Sequence, residues 1–290
     1  MILGGIMSHS DRPWTAYYGP SMRSRIEAAQ FRTTADMVRA VSHLYSDKTA
    51  FTACLPNGIN GSLTFKQVDE MSDGLAVYLR EAVGLTQGDR VAIQMPNGLS
   101  FPVAAFAVLK AGCVIVNVNP LYTAEEMAHQ FADSQPQALI VVDIFADKLT
   151  QALKGHPIPN IIVTQVAEFF PAIPRGIVRL VQKHWDRTLA PITLPHIRLP
   201  EAIEAGRQIS QRKSITVEGY SSVLSPDDIA CLQYTGGTTG VAKGAMLSHG
   251  NLMINMEQTM EMISNGVKKG REVALTALPM YHIFAFTVNL

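Results

Sequence analysis

The sequence has no excess of charge of either sign, because 24 lysine and arginine residues balance 24 aspartate and glutamate residues. Nucleic-acid-binding proteins usually carry a basic net charge or basic patches, so we exclude a nucleic-acid partner. Cysteine is also scarce. Cys54, Cys113 and Cys231 lie far apart in apolar surroundings, which excludes a disulfide framework or a cysteine metal site and predicts reduced core thiols.

Long hydrophobic runs are missing as well, since no stretch approaches the roughly 18 apolar residues of a membrane-spanning helix. The apolar segment 1–7 is too short for the core of a signal peptide, and no basic region precedes it. Hydrophobic residues still make up 47% of the chain, enough to bury a sizeable core. We therefore expect a soluble, cytoplasmic protein.

Short apolar segments alternate with helical patterns through much of the chain. This alternation predicts βαβ units, and therefore an α/β fold with a mainly parallel sheet flanked by helices. Thr64 with Gln67, and Thr123 with Glu126, have the spacing of helix capping boxes. The predicted strands are 90–95, 113–118, 138–142, 160–164, 228–233 and 272–278.

Several boundary residues and one long segment carry further predictions. Ser100, Asp143 and Ser248 stand where a side chain would cap the helix that follows. Gly112 stands where a helix would end in a left-handed residue. Residues 201–226 are polar and predict a linker.

The most informative segment is Tyr-Thr-Gly-Gly-Thr-Thr-Gly-Val-Ala-Lys-Gly at 234–244, directly after the predicted strand 228–233. Its four glycines permit positive φ angles and leave room for a ligand close to the backbone. Successive backbone N–H groups in such a loop form an anion-binding concavity. The three threonines add hydroxyl donors and Lys243 adds positive charge. Donors and a cation without an acidic residue suit a polyphosphate.

Two familiar phosphate-binding patterns do not match this segment. The P-loop pattern has glycine before its lysine and serine or threonine after it, whereas Ala242 precedes Lys243 and Gly244 follows it. The dinucleotide pattern G-x-G-x-x-G does not match either. A flexible surface loop with a chance lysine is the alternative, but three threonines and a lysine placed after a strand favour phosphate binding.

These residues resemble the signature of the adenylate-forming, AMP-binding enzymes, Tyr-Thr-Ser-Gly-Thr-Thr-Gly-x-Pro-Lys-Gly. Gly236 replaces the serine and Ala242 replaces the proline. With the residues that flank it, this variant is similar to the bacterial long-chain fatty acyl-CoA ligases. The resemblance extends over residues 34–290.

The resemblance implies a truncated large domain of the adenylate-forming fold. Residues 1–33 would be an N-terminal segment and residues 34–290 part of the AMP-binding domain. The small C-terminal domain, with the adenylation lysine, would lie beyond Leu290. The resemblance also implies that no catalytic residue and no Mg²⁺ ligand lies in this chain, so that the chain alone is expected to be inactive.

The implied activity is ATP-dependent activation of a long-chain fatty acid to an acyl-adenylate, then transfer to CoA, with Mg²⁺ as cofactor. Tyr281 and His282 match a segment that borders the acyl pocket and the route of CoA. The residues implied in binding the ATP phosphates are Tyr234, Thr235, Gly236, Gly237, Thr238, Thr239, Gly240, Lys243 and Gly244. Two alternatives stay open: adenylation of another carboxylic acid, such as an aryl or amino acid, and a non-catalytic remnant that binds a nucleotide or a partner.

A basic amphipathic segment lies between prolines in residues 169–200. Such a helix either rests on an anionic membrane surface or packs on the sheet as a solvated surface helix, and one short helix binds lipid weakly, which favours packing. The membrane alternative predicts peripheral contact through residues 175–189 at the inner face of the membrane. The predicted basic face is Arg175, Arg179, Lys183 and Arg187, and the predicted apolar face is Val178, Val181, Trp185 and Leu189.

Overall fold

The computed structural model describes residues 12–19, 22–186, 189, 192–235, 242–263 and 266–289. Within these ranges the strands are β1 (Thr49–Cys54), β2 (Asn60–Thr64), β3 (Arg90–Gln94), β4 (Val114–Asn117), β5 (Ala138–Val142), β6 (Asn160–Thr164), β7 (Ile197–Arg198), β8 (Ile229–Thr235) and β9 (Lys243–Ser248). The α-helices are α1 (Thr34–Leu44), α2 (Phe65–Val77), α3 (Ser100–Lys110), α4 (Ala124–Ser134), α5 (Leu149–Ala152), α6 (Ala172–His184), α7 (Leu199–Lys213), α8 (Glu218–Ser221), α9 (His249–Ile263) and α10 (Ile283–Asn289).

The centre of the fold is a seven-stranded sheet in the order β7-β6-β5-β3-β4-β8-β9. All neighbouring strands in it are parallel except β8 and β9, which run antiparallel. The predicted α/β fold with a mainly parallel sheet is therefore confirmed. A separate hairpin of β1 and β2, which the sequence analysis did not predict, precedes this sheet.

Helices cover both faces of the sheet. Successive residues of β3 point to opposite sides, so that Val91 and Ile93 join one apolar cluster and Ala92 joins the other. The first cluster lies under α1, α2, α3 and α7, and the second under α4 and α5. Because both faces are buried, these strands are almost uniformly apolar rather than alternating.

Three predicted helix starts are confirmed, and in each the capping side chain binds the backbone of its own helix. Thr64 with Gln67 and Thr123 with Glu126 both form complete capping boxes. Ser248 accepts a hydrogen bond from the backbone N–H of Asn251 at the start of α9. The expected helix end at Gly112 is also confirmed, since this glycine has a φ of 72°.

The predictions for Ser100 and Asp143 as caps are wrong, because another side chain competes for each. Ser100 is the first residue of α3, and its hydroxyl lies 2.8 Å from the hydroxyl of Thr164 on β6. Asp143 is the first residue of a short 3₁₀ helix, and its buried carboxylate accepts a hydrogen bond from Arg179 of α6.

The linker predicted at 201–226 is also wrong, because most of this segment is helical. Helix α7 packs across α2 so closely that a Cβ on Gly206 would lie 1.7 Å from the carbonyl oxygen of Gly74. Leu199, Ala202 and Ile203 supply the buried side of α7. Alanine and glycine contribute little hydrophobicity to a sequence pattern, which is why the tight helix crossing was missed.

The strand predicted at 272–278 does not form. Val273 and Leu275 are 96% and 92% exposed, and no described strand pairs with this segment. A β-strand is stabilised by the hydrogen bonds of a neighbour. An alternating pattern without a neighbouring strand is therefore not sufficient.

The three cysteines do not share one environment. All are free, and Cys113 and Cys231 are buried, as predicted. Burial raises the pKa of both thiols to about 12, so that they stay protonated. Cys54 at the end of β1 is exposed, which corrects its assignment to the core.

Helix α6 follows the predicted placement of its faces only in part. Val178 is buried, but Val181 is exposed, and Trp185 lies beyond the helix end at 86% exposure. Arg179 points to the body of the protein, where it binds Asp143. Arg187 lies outside the described residues.

Candidate functional site

The two ends of the glycine-rich segment meet at the carboxyl edge of the parallel sheet. β8 runs parallel to β4 and pairs antiparallel with β9, and Thr235 at the end of β8 faces Lys243 at the start of β9. Both residues are exposed. Parallel α/β sheets bind ligands outside the carboxyl ends of their strands, so the segment enters and leaves at the expected edge. Gly236, Gly237, Thr238, Thr239 and Gly240 lie outside the described residues.

Tyr234 connects the β8–β9 hairpin to α4. Its ring is buried in the apolar cluster under α4, and its hydroxyl donates a hydrogen bond to Asp133 near the end of α4. Burial, followed by the hydrogen bond to Asp133, raises the pKa of the Tyr234 hydroxyl, so that it stays protonated and acts as a donor. Asp133 was not predicted, because only the fold brings α4 next to β8.

The side chain of Tyr234 also explains Gly244. These two residues are partners in the β8–β9 ladder, and a Cβ on Gly244 would lie 3.0 Å from Cζ of Tyr234. Among the predicted phosphate-binding residues, Gly244 therefore leaves space for a protein ring. The ring of Tyr234 therefore packs over Gly244 next to the point where the two strands enter the glycine-rich segment.

Buried amide side chains line the same edge of the sheet. The amide of Asn117 at the end of β4 donates a hydrogen bond to the side-chain oxygen of Gln233 at 3.2 Å. The amide of Gln130 on α4 donates to the backbone oxygen of Asn117 at 2.8 Å. Gln94, the last residue of β3, is also fully buried. Such a polar layer at the carboxyl edge of the sheet is unusual for a protein core and indicates a site.

Asn97 attaches the segment that carries Tyr281 and His282 to this edge. Its amide donates to the backbone oxygens of Thr276 and Leu278 at 3.2 and 2.9 Å. Its side-chain oxygen accepts from the backbone N–H of Met280 at 2.7 Å. Asn97 lies three residues after the end of β3, and its position after a buried strand was the signal that could have identified it.

Tyr281 and His282 therefore lie at the same edge as Thr235 and Lys243. Tyr281 is half-buried and lies near Tyr122, whose pKa is raised mainly by burial and also by the nearby Glu126 and Tyr281. Tyr122 follows β4, the neighbour of β8 in the sheet. His282 is exposed and immediately precedes α10, with its backbone oxygen accepting from the N–H of Phe286 at 2.9 Å.

The described residues do not fit a protein-held metal site. No group of three or more histidine, cysteine, aspartate or glutamate side chains that could hold a metal ion occurs among them. The edge instead offers an exposed lysine, an exposed threonine hydroxyl and buried amides. These groups suit anion binding and polar positioning.

The fold and the site together define an adenylate-forming domain. The chain belongs to the AMP-binding enzyme family, whose sequence model matches residues 38–290. A crystal structure of a long-chain-fatty-acid–CoA ligase from Archaeoglobus fulgidus has the same fold, with a TM-score of 0.62 and 21% identity, over 92% of this chain and 47% of that chain.

Several relatives in sequence are named as bacterial long-chain-fatty-acid–CoA ligases. The Escherichia coli O6:H1 protein of that name is 37% identical over 276 residues, which is 95% of this chain and 47% of the relative. The Bacillus subtilis protein of the same name is 30% identical over 284 residues. The chain thus spans about half the length of the curated relatives it matches, corresponding to their N-terminal half.

Proposed function

We propose that this chain supplies the ATP-phosphate site of a long-chain fatty acid–CoA ligase. The single observation that supports this most is the position of Thr235 and Lys243. They face each other where the glycine-rich segment leaves the carboxyl edge of the parallel sheet. The identity to bacterial ligases of that name favours a fatty acid over other carboxylic acids.

The proposed reaction has two steps. The carboxylate of the fatty acid attacks the α-phosphorus of ATP, which releases pyrophosphate and forms the acyl-adenylate. The thiol of CoA then displaces AMP. Enzymes accelerate such a transfer mainly by positioning the reactants and stabilising charge. We infer that Mg²⁺ accompanies ATP.

Most of the predicted phosphate-binding residues keep their proposed roles. Thr235, Gly236, Gly237, Thr238, Thr239 and Gly240 would hold the β- and γ-phosphates, and Lys243 would offset their charge. For Tyr234 and Gly244 we now propose indirect roles, because the Tyr234 hydroxyl binds Asp133 and Gly244 makes room for its ring. Tyr281 and His282 would border the acyl and CoA sites.

We also propose that the 290-residue chain does not complete the reaction by itself, since the relatives are about twice as long. Acyl-CoA formation by the purified chain would contradict this. The second candidate is a non-catalytic remnant that binds a nucleotide. Acyl-CoA formation by the gene product that contains this chain would favour the ligase, and its absence would favour the remnant. Peripheral contact with a membrane through residues 175–189 completes the proposal.

Pyrophosphate exchange by the gene product that contains this chain tests the phosphate site. Lys243→Met removes the cation but keeps a stem of similar length, and Thr239→Val removes a hydroxyl but keeps the shape. Each is expected to lower the exchange rate by about 100-fold or more, because the lost interaction acts on charge that shifts as pyrophosphate departs.

The matched control is Lys269→Met, at an exposed lysine outside the glycine-rich segment. It should leave exchange unchanged. A thermal melt accompanies each variant. Normal exchange per folded molecule in Lys243→Met, with a lowered melting temperature, would show that the segment is structural. Competition between fatty, aryl and amino acids as exchange substrates tests the choice of carboxylic acid.

A further inference from the structure

Helix α6 presents several large apolar side chains to solvent. Val178 and Gln182 are its buried residues. Residues three or four positions apart share a helix face, and on the side opposite these two stand Ile173, Ile177 and Leu180. Ile173 and Leu180 are 77% and 59% exposed. With Trp185, which follows the helix, these residues form what we call the α6 ridge: Ile173, Ile177, Leu180 and Trp185.

Two arginines keep the ridge outward. Arg179 binds the carboxylate of Asp143, which is almost fully buried. Arg175 donates to the backbone oxygen of Glu168 at 3.2 Å. Rotating α6 to bury the ridge would break both contacts and leave the charge of Asp143 unpaired in the protein, which is costly. The outward orientation is therefore a property of the folded chain.

The charge on α6 beside the ridge is basic, and the exposed Asp186 follows directly after Trp185. No acidic residue occurs between Pro171 and Trp185, whereas Arg175, Arg179 and Lys183 are basic. Arg179 is neutralised by Asp143, and Lys183 is exposed beside the ridge. A second copy of the chain would bring like charges together at such a surface. An anionic surface with an apolar interior matches both properties.

We propose that the α6 ridge docks on the surface of an anionic phospholipid membrane, a proposal that rests on the membrane contact proposed above and assigns it to particular residues. The ridge enters the boundary between headgroups and acyl chains, while Lys183 stays at the phosphates. The helix has 13 residues and is about 20 Å long, so that it lies in the membrane plane. A single short helix makes this docking reversible and sensitive to salt.

The protein contains a reporter for this contact. It has two tryptophans, Trp14 and Trp185, so that Trp14→Phe leaves Trp185 as the only one. Vesicles that contain phosphatidylglycerol are expected to shift the emission of this variant to shorter wavelength, and brominated acyl chains to quench it. Pure phosphatidylcholine vesicles should do neither at the same lipid concentration.

Two ridge variants in the Trp14→Phe background measure the contribution of the apolar residues and of charge. Ile177→Glu with Leu180→Glu is expected to weaken binding to the anionic vesicles by about tenfold or more. Lys183→Gln should weaken it by about fivefold at low salt and have little effect at high salt. Leu44→Glu is the control, because Leu44 is 69% exposed and also stands on a helix. It should bind as the parent does.

Several results would overturn the proposal. The first is equal binding of the parent to neutral and anionic vesicles. The second is that Leu44→Glu weakens vesicle binding as much as the ridge variants do. The third is Trp185 emission at short wavelength without lipid, which would mean that protein covers the ridge. Circular dichroism confirms that each variant is folded. In the gene product that contains this chain, the ridge variants should keep pyrophosphate exchange with fatty acid supplied in detergent. Loss of exchange in the parent protein would instead reject the ligase proposal and leave vesicle binding to be judged separately.

Discussion

Gly244 and Tyr234 face each other in the β8–β9 hairpin, and the ring of Tyr234 occupies the space that a side chain on Gly244 would need. The ring has little freedom to move away, because its hydroxyl is bound to Asp133. The side chain of Tyr234 therefore links the β8–β9 hairpin to α4 at the entrance to the glycine-rich segment.

This contact predicts the behaviour of two variants. Gly244→Ala should destabilise the chain by about 1–2 kcal/mol, because its methyl group would lie 3.0 Å from a tethered ring. Adding Tyr234→Phe releases the tether, so the double variant should lose less stability than the sum of the two single variants. Denaturant unfolding of all four proteins measures this coupling. Additive losses would show that the ring yields without releasing Asp133.

The crossing of α2 and α7 gives a second prediction. Gly206→Ala should cost at least about 2 kcal/mol, because the methyl group would overlap the carbonyl oxygen of Gly74 and force the helices apart. Gly176→Ala is the matched control within α6, where nothing lies within 4 Å of the added atom. It should stabilise the chain by about 0.5–1 kcal/mol, since alanine favours a helix. Chemical denaturation compares the two, and equal effects would argue against the tight crossing.

His249 gives a prediction on pH. Burial lowers its pKa from 6.5 to about 4, and Nδ1 lies 2.7 Å from the hydroxyl of Thr34. The folded chain therefore keeps the imidazole neutral, while the unfolded chain protonates it near pH 6.5. The contribution is complete above pH 6.5 and is lost as the pH falls towards 4, by up to about 3 kcal/mol.

Unfolding free energies measured at several pH values from 7 to 4 test this sign. His249→Gln should lose part of the stability at pH 7 but show a flatter dependence on pH between these limits. An equally steep decline in His249→Gln would assign the pH dependence to other groups, such as the carboxylates. His43 on α1 is exposed, and His43→Gln is the control that should leave the slope unchanged.

Much of the fold was predictable where residues close together in the sequence favour one local structure. The capping boxes at Thr64 and Thr123 form because hydroxyl and acceptor stand at the right spacing on the same turn. The buried parallel strands form because short apolar runs between helices have few other solutions. The strand at 272–278 failed because its alternating pattern has no neighbouring strand among the described residues.

Some residues of the candidate site were predictable from the sequence, and others were not. The glycines, threonines and lysine of 234–244 predict phosphate binding from their own chemistry, whatever surrounds them. Asp133, Asn97 and the buried amides could not be found, because single polar residues at strand or helix ends are common. They gain meaning only when the sheet brings the ends of β3, β4 and β8 together.

The sequence by itself determined the family, the parallel sheet and the loop chemistry, because each depends on residues close together in the chain. Only the tertiary structure decided which way α6 faces. The helix buries Val178 of its predicted apolar face but leaves Ile173, Ile177 and Leu180 exposed. The buried carboxylate of Asp143, 36 residues away from Arg179, requires a cation, and satisfying that charge turns the apolar ridge to solvent.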